Sequence, residues 1–194
     1  MRVLVLADRE PRPSVGALLA AGGIDAIVGL GDLQPSWIDG VAEAALPKLG
    51  VYGNHDDGNY MPGLGMEDLH LRSTELGGLS FAGFEGCVRY RRDGAHQYTQ
   101  AEAAVMAERL PPADVLVCHC PPAGINDDPD DPAHVGYEAL RAWVDRVRPR
   151  YLLHGHTYPA PGRAVRRHGD TRVVHVAGAR VVELEPSGSG GPSG

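Results

Sequence analysis

The sequence predicts an α/β protein whose two mixed sheets lie face to face with helices outside. Apolar runs alternate with helix-like stretches over the first fifty residues, a hairpin signal follows residue 70, and two more β-rich runs close the chain. Such a mixture of βαβ units and hairpins fits two facing sheets better than one doubly wound sheet. Val3–Ala7 is a continuous apolar run ending in a carboxylate, as a buried strand reads. Ser14–Ala21 follows as a helix that Gly22–Gly23 stops. Asp25–Gly29 repeats the strand pattern, Pro35–Leu46 is helical from its first turn, and Lys48–Tyr52 is a third strand before Gly53, completing βαβαβ. Leu71–Glu75 and Leu79–Gly83 flank Gly77–Gly78 as the arms of a hairpin. Thr99 caps a helix running to about Arg109, with Glu102 at the third position of a capping box. Val115–His119 is a buried strand, Tyr137–Val147 a helix and Tyr151–His154 a strand, and Val173–Val176 with Val181–Leu184 reads as a closing antiparallel pair.

A chain of 194 residues is long enough to bury a substantial core and short enough for one domain. Residues 1–185 are read as that domain, and Pro186–Gly194, made only of Gly, Ser and Pro, as a disordered tail. With 43 % hydrophobic and 22 % charged residues, the 26 Gly and 16 Pro mark turns rather than disorder. A formal net charge of −7 argues against strong sequence-independent nucleic-acid binding. A small phosphorylated substrate meets a local site, so the net charge does not exclude it. Cys87, Cys118 and Cys120 fall into no zinc-ribbon or CxxC spacing and read as reduced thiols of a cytoplasmic protein. The apolar run at Val3–Ala7 is too short for a signal-peptide core or a membrane span.

The informative pattern is where Asp, Asn and His fall. Asp8 follows the first strand, Gly31–Asp32 the second and Gly53–Asn54–His55–Asp56 the third; His119 ends a later strand and His154–Gly155–His156 another. Loops at the carboxyl ends of such strands converge on a crevice where ligands bind. Glycines before Asp32, Asn54 and His156 let the backbone turn and leave room close to a bound ion or phosphate. Each residue alone has an ordinary role: an N-cap for Asp8 or Asp32, a left-handed turn for Asn54, a core histidine for His119. Their succession at five strand ends points to a metal site. Mixed carboxylate, amide and imidazole donors suit Mn²⁺, Fe or Zn²⁺ better than Ca²⁺.

Gly31–Asp32, Gly53–Asn54–His55–Asp56, His119–Cys120–Pro121–Pro122 and Gly155–His156–Thr157 resemble, in that order, the motifs of the calcineurin-like metallophosphoesterases. The resemblance runs from Val3 to about Leu184. It implies a four-layer α/β/β/α sandwich and a two-metal site that hydrolyses phosphate esters. It further implies that Asp32 bridges both ions, that Asn54, His119 and His156 complete one half-site, and that His55 faces the scissile phosphate. Two cations, Mn²⁺ foremost with Fe or Zn²⁺ as alternatives, clamp the phosphate and activate a water. His55, not needed as a ligand, carries a proton to the leaving oxygen, and Asp56 orients it through the other ring nitrogen.

The sequence departs from that family in one half-site. An opening Asp-x-His is replaced by Asp8–Arg9–Glu10, and a closing Gly-His-x-His by Gly155–His156–Thr157–Tyr158. Glu10 is expected to ligate as a hard carboxylate, whereas Tyr158, a phenol and so a poor ligand, either ligates or walls the pocket. The ion at Asp8 is therefore expected to bind more weakly than the other. For the substrate, Arg89 in Arg89–Tyr90–Arg91–Arg92 is the expected phosphate partner with Tyr90 beside it. His134, after the acidic loop Asp127–Asp131, is a further candidate, and that loop reads as an exposed turn or a lid. His154 shares a strand face with His156 as a supporting candidate, while His70, His96, His168 and His175 fit no ligand pattern. Two other functions remain open: a catalytically weakened metal-binding scaffold that engages a partner through this edge, and a nuclease. The acidic balance and the lack of an added nucleic-acid domain weigh against the nuclease.

Overall fold

The computed structural model describes residues 1–38, 40–160 and 162–186. β1 (Arg2–Ala7), α1 (Val15–Ala20) and β2 (Ala26–Gly29) form the first expected unit. The Ser14 hydroxyl caps α1 by accepting from Ala17 N at 3.3 Å. Before β3 (Lys48–Gly50) the chain makes a 3₁₀ turn at Pro35–Trp37 and not the expected helix. Gly40, at φ 87°, leaves the right-handed region. The segment goes on as three-residue turns, Val41 N to Ile38 O at 3.1 Å and Ala44 N to Val41 O at 3.3 Å.

The next elements are α2 (Tyr60–Leu64), β4 (Glu67–Asp68), the hairpin β5 (Ser73–Leu76) and β6 (Leu79–Phe84), then β7 (Cys87–Val88) and β8 (Gln97–Tyr98). They are followed by α3 (Gln100–Ala107), β9 (Val115–Cys118), α4 (Glu138–Val147), β10 (Tyr151–His154), β11 (Arg167–His168), β12 (Thr171–His175) and β13 (Gly178–Glu183). One sheet has the order β13-β1-β2-β3-β4, parallel except for β13; the other has the order β11-β12-β10-β9-β6-β5, parallel except for its two edge strands. β7 and β8 form a small separate parallel pair that sequence reading did not separate from the rest.

The last two strands do not pair with each other. Val174 of β12 lies opposite Leu153 of β10, while Val182 of β13 lies opposite Val3 of β1. Gly178, at φ 88°, begins the strand in the other sheet. Apolar content marks both runs as buried strands, but it carries no information about which sheet takes each one.

Three apolar clusters produce the layers. Val3, Val5, Val28 and Val51 from one sheet meet Phe81, Val115, Val117 and Leu153 from the other. Outside the second sheet, Leu116 and Leu152 are covered by Ala103, Leu140, Trp143 and Val144 of α3 and α4. Outside the first, Leu4, Leu6 and Ile27 are covered by Val15, Ile38, Val41 and Met61. The result is the expected α/β sandwich, with Cys87, Cys118 and Cys120 free and buried within it. No helix among the described residues is long and apolar enough to cross a membrane. Of the expected tail, Pro186 is exposed and the rest lies outside the described residues.

The capping box of α3 is present in full. Thr99 Oγ1 accepts from Glu102 N at 3.1 Å, and Glu102 Oε2 accepts from Thr99 N at 2.7 Å. Thr99→Ala is expected to lower the unfolding free energy by about 1 kcal/mol in urea denaturation, and Thr99→Ser to recover most of it. An unchanged midpoint in Thr99→Ala would mean that α3 does not depend on this cap.

Candidate metal centre

β1, β2 and β3 are mutually parallel, as are β9 and β10, and their carboxyl ends meet along one seam. Hydrogen bonds cross it from sheet to sheet: Gly86 N to Tyr52 O at 2.8 Å, His119 Nδ1 to Leu30 O at 2.8 Å, and His156 N to Asp8 Oδ2 at 3.0 Å. Three of the strand-end residues, Asp8 (φ 58°), Asp32 (φ 54°) and His156 (φ 66°), adopt left-handed backbone. That conformation costs an L-residue roughly 1–2 kcal/mol, so it persists only where surrounding bonds impose it. Asp32 N donates to Asp56 Oδ2 at 2.8 Å, and the Asp8 carboxylate holds His156 N.

The neighbouring glycines leave room for the backbone and for the candidate ligand carboxylates themselves. A Cβ on Gly53 would collide with Asp32 Oδ1, and one on Gly155 would stand 2.6 Å from Asp8 Oδ2. The space is filled by the carboxylates themselves.

Asp8, Asp32 and His119 each present a donor atom within 4.8 Å of the others, the only such group of three among the described residues. These three can hold a metal ion. His119 is fully buried, and burial pulls its imidazole down to a pKa of about 3, so the ring is neutral. Its Nδ1 faces a carbonyl and therefore carries the hydrogen, which leaves a lone pair on Nε2. That lone pair points at Asn54 Oδ1 at 3.1 Å and lies 3.5 Å from Asp32 Oδ2. Asn54 is turned this way because its Nδ2 donates to the Tyr90 hydroxyl at 3.1 Å. Three electron-rich atoms thus converge with no imidazole hydrogen between them, an arrangement that a cation satisfies.

The carboxylates carry the same imbalance. Burial, reinforced by the charge of Asp32, pushes Asp8 up to about 8, and burial likewise raises Asp32. His156 is neutral too, pulled down to about 3 by burial and the nearby His119. Its Nε2 donates to Ala133 O at 2.7 Å, which leaves Nδ1 as the lone-pair nitrogen.

The residues expected to do chemistry divide. His55 is exposed on the wall of a cleft of about 800 Å³, and its backbone N–H donates to Asp32 Oδ1 at 2.8 Å. Asp56 does not orient it. Its carboxylate accepts from the backbone N–H groups of Gly53 (2.7 Å), Asp32 (2.8 Å) and Leu33 (3.1 Å), binding two loops together. Burial pushes Asp56 up to about 6, so its clamp is ionised at neutral pH. Glu10 is also displaced: its side chain is 60 % exposed and pairs with Arg12 at 3.5 Å, away from the cleft. Tyr158 lines the cleft, half exposed, with the Arg9 guanidinium 4.2 Å from its ring centre.

Arg89 is not a cleft residue either. It donates twice to Gln97 O, at 3.2 and 3.0 Å, and pairs with Glu102 at 3.0 Å. Arg91, two positions on, lines the cleft instead, with its guanidinium 5.3 Å from the Tyr90 ring centre. His134 lines the cleft as expected, held by Asp131 at 2.6 Å. The acidic loop thereby supports the cleft through Asp131, and the Ala133 carbonyl just beyond it fixes His156. His154 does not support the site: its Nε2 accepts from Asn126 Nδ2 at 2.9 Å in the core.

Sequence reading missed one cluster near these loops. Buried Glu85 accepts from the Tyr98 hydroxyl and lies 3.2 Å from His96 Nδ1 and 3.7 Å from His70 Nε2. The bond to Glu85 raises His96 above its ordinary range, and the His96 ring stacks on Tyr52 at 5.2 Å. Nothing in the local sequence announces this group, because its members come from four separate segments.

No protein-family model matches the chain, and no curated protein matches it. Solved structures do. One crystal structure superimposes with a TM-score of 0.67 at 15 % identity, covering 95 % of this chain and 99 % of that one. TT1561 of Thermus thermophilus superimposes with a TM-score of 0.60 at 17 % identity, covering 91 % and 89 %. Both share the fold. A new diphosphatase from the PhnP family reaches a TM-score of 0.42 at 14 % identity over 95 % of this chain and 80 % of that one, too loose a match to inform fold or chemistry.

The raised Asp8 carboxyl sets the direction of a pH effect. Below about pH 8 it keeps a proton that an entering cation must displace. Mn²⁺ affinity by titration calorimetry is therefore expected to fall as pH drops from about 8.5 to 6.5, by up to roughly tenfold per pH unit for one displaced proton. Asp32→Ala is expected to abolish binding. Equal affinity at both pH values would mean that Asp8 lies outside the ion's reach.

Proposed function

We propose that the protein is a metal-dependent phosphoesterase of the calcineurin-like kind, a hydrolase of phosphomonoesters or phosphodiesters. The observation that carries this reading is the convergence of the His119 Nε2 lone pair, Asn54 Oδ1 and Asp32 Oδ2, the last of which lines a cleft whose walls hold His55, Arg91 and His134. The ordered Gly-Asp, Gly-Asn-His-Asp, His-Cys-Pro-Pro and Gly-His-Thr motifs supply those residues in the order that the resemblance implies.

Asp32, Asn54 and His119, with Asp8 beside them, would hold the ion. When bound, a divalent cation draws charge from phosphoryl oxygens and makes water acidic enough to attack near neutral pH. The chain's own residues do the rest. Asp32 Oδ1 holds the His55 backbone and so keeps the exposed imidazole beside the donor cluster, from which it gives a proton to the leaving oxygen. Arg91 offers a planar cationic fork to non-bridging oxygens. Pro35, Trp37 and Tyr60 form an apolar wall for the organic group.

Hydrolysis of a chromogenic phosphodiester or monoester is expected with Mn²⁺ and is expected to stop on chelation. His55→Ala should keep its metal but slow turnover by roughly 10²–10⁴-fold, less for leaving groups that need no proton. The outward-turned Glu10 favours a second reading, a weakened member that binds a partner at this edge. Absence of hydrolysis with any divalent ion, alongside intact metal binding, would support that reading.

A further inference from the structure

The two side chains on which a second ion would depend do not converge. Glu10 faces solvent and pairs with Arg12, and Tyr158 contributes only a half-exposed phenol. Among the described residues the metal-type donors form one group of three and no other. A second ion does not fit these residues.

Another cation stands against a wall of the cleft on that side, exposed and outside the residues that line it. Arg9 directly follows Asp8, and its guanidinium carbon lies 4.2 Å from the centre of the Tyr158 ring, which itself lines the cleft with Asp8, Asp32 and His156. The rings of His134 and Tyr158 meet edge to face at 6.1 Å, so the platform under Arg9 is braced by a second aromatic side chain. A guanidinium on an aromatic face stays fully charged and keeps its in-plane donors free for an anion.

We propose that this site works with a single divalent ion, held by Asp8, Asp32, Asn54 and His119, and that Arg9, seated on Tyr158, supplies the second positive charge that binds a phosphoryl oxygen. Arg9 is then a substrate-binding residue and Tyr158 a positioning residue. The proposal rests on the phosphoesterase reading for the identity of its anion, but both of its observables are independent of turnover.

The test is made on the intact chain loaded with Mn²⁺ and desalted, with metal content measured by mass spectrometry and inorganic phosphate titrated by calorimetry. One Mn²⁺ per chain is expected in the wild type and in Arg9→Ala. Phosphate affinity should fall roughly 10- to 100-fold in Arg9→Ala, the loss of a charge-assisted hydrogen bond. Tyr158→Ala should weaken phosphate binding by about two- to fivefold, and Tyr158→Phe, which keeps the ring face, should leave it intact. Two ions per wild-type chain would overturn the single-ion assignment, and unchanged phosphate affinity in Arg9→Ala would overturn the role of Arg9. Failure to hydrolyse any phosphoester, with these binding results as expected, would remove the catalytic reading and leave a phosphate-binding metal site.

Discussion

The hydrogen bond from His119 Nδ1 to the Leu30 carbonyl governs both the fold at this edge and the chemistry available there. It reaches from the end of β9 in one sheet to the end of β2 in the other, inside a region with no solvent. A buried imidazole with one nitrogen committed to a carbonyl has a single tautomer left, so the other nitrogen must present a lone pair. Packing two sheets thereby creates a ligand atom of fixed direction. Asn54 is fixed in the same way through the Tyr90 hydroxyl, and His156 through the Ala133 carbonyl. Each donor at the centre is aimed by a partner from another loop, which is how a metal site keeps its shape.

The seam is electrostatically unbalanced as built. Asp8, Asp32 and Asp56 are all raised by burial, and the neighbouring imidazoles of His119 and His156 are too depressed to neutralise them. Asp56 accepts from three backbone N–H groups, whereas Asp8 and Asp32 each accept from one. It acts as the joint that holds the loops after β2 and β3 together, while Asp8 and Asp32 retain oxygen lone pairs facing the cleft. This division of labour among identical side chains comes entirely from what surrounds each one.

Much of this could be read in the sequence, for definite reasons. Short apolar runs bounded by glycine identify buried strands whatever their neighbours, so β1, β2, β9 and β10 were legible, as was the Thr99 capping box. Strand-end ligands were legible because parallel strands must discharge their carboxyl ends on one edge. Partner choice was not, since Val173–Val176 and Val181–Leu184 look alike in composition and enter different sheets. Glu10 misled because it stands where the resembled motif has a ligand, while the left-handed backbone at Asp8 turns the chain before Glu10 is reached and its side chain pairs with Arg12. Arg89 misled because Gln97 and Glu102, which engage it, lie in a different turn and helix. The helix expected over Pro35–Leu46 gave way to the backbone of Gly40.

The pairing of β1 with β13 bears on how this chain can be made. β1 leads the first βαβ unit, yet one of its two edges is completed only by residues 178–183. As the chain leaves the ribosome, β1 and β2 can associate early, but the open side of β1 waits until residues 178–183 have been synthesised. Contacts this distant in sequence close slowly, and an apolar strand with an unpaired edge is the species that chaperones shield and that other nascent chains can capture. Docking of β13 is therefore the step that closes the open edge of β1 during biosynthesis.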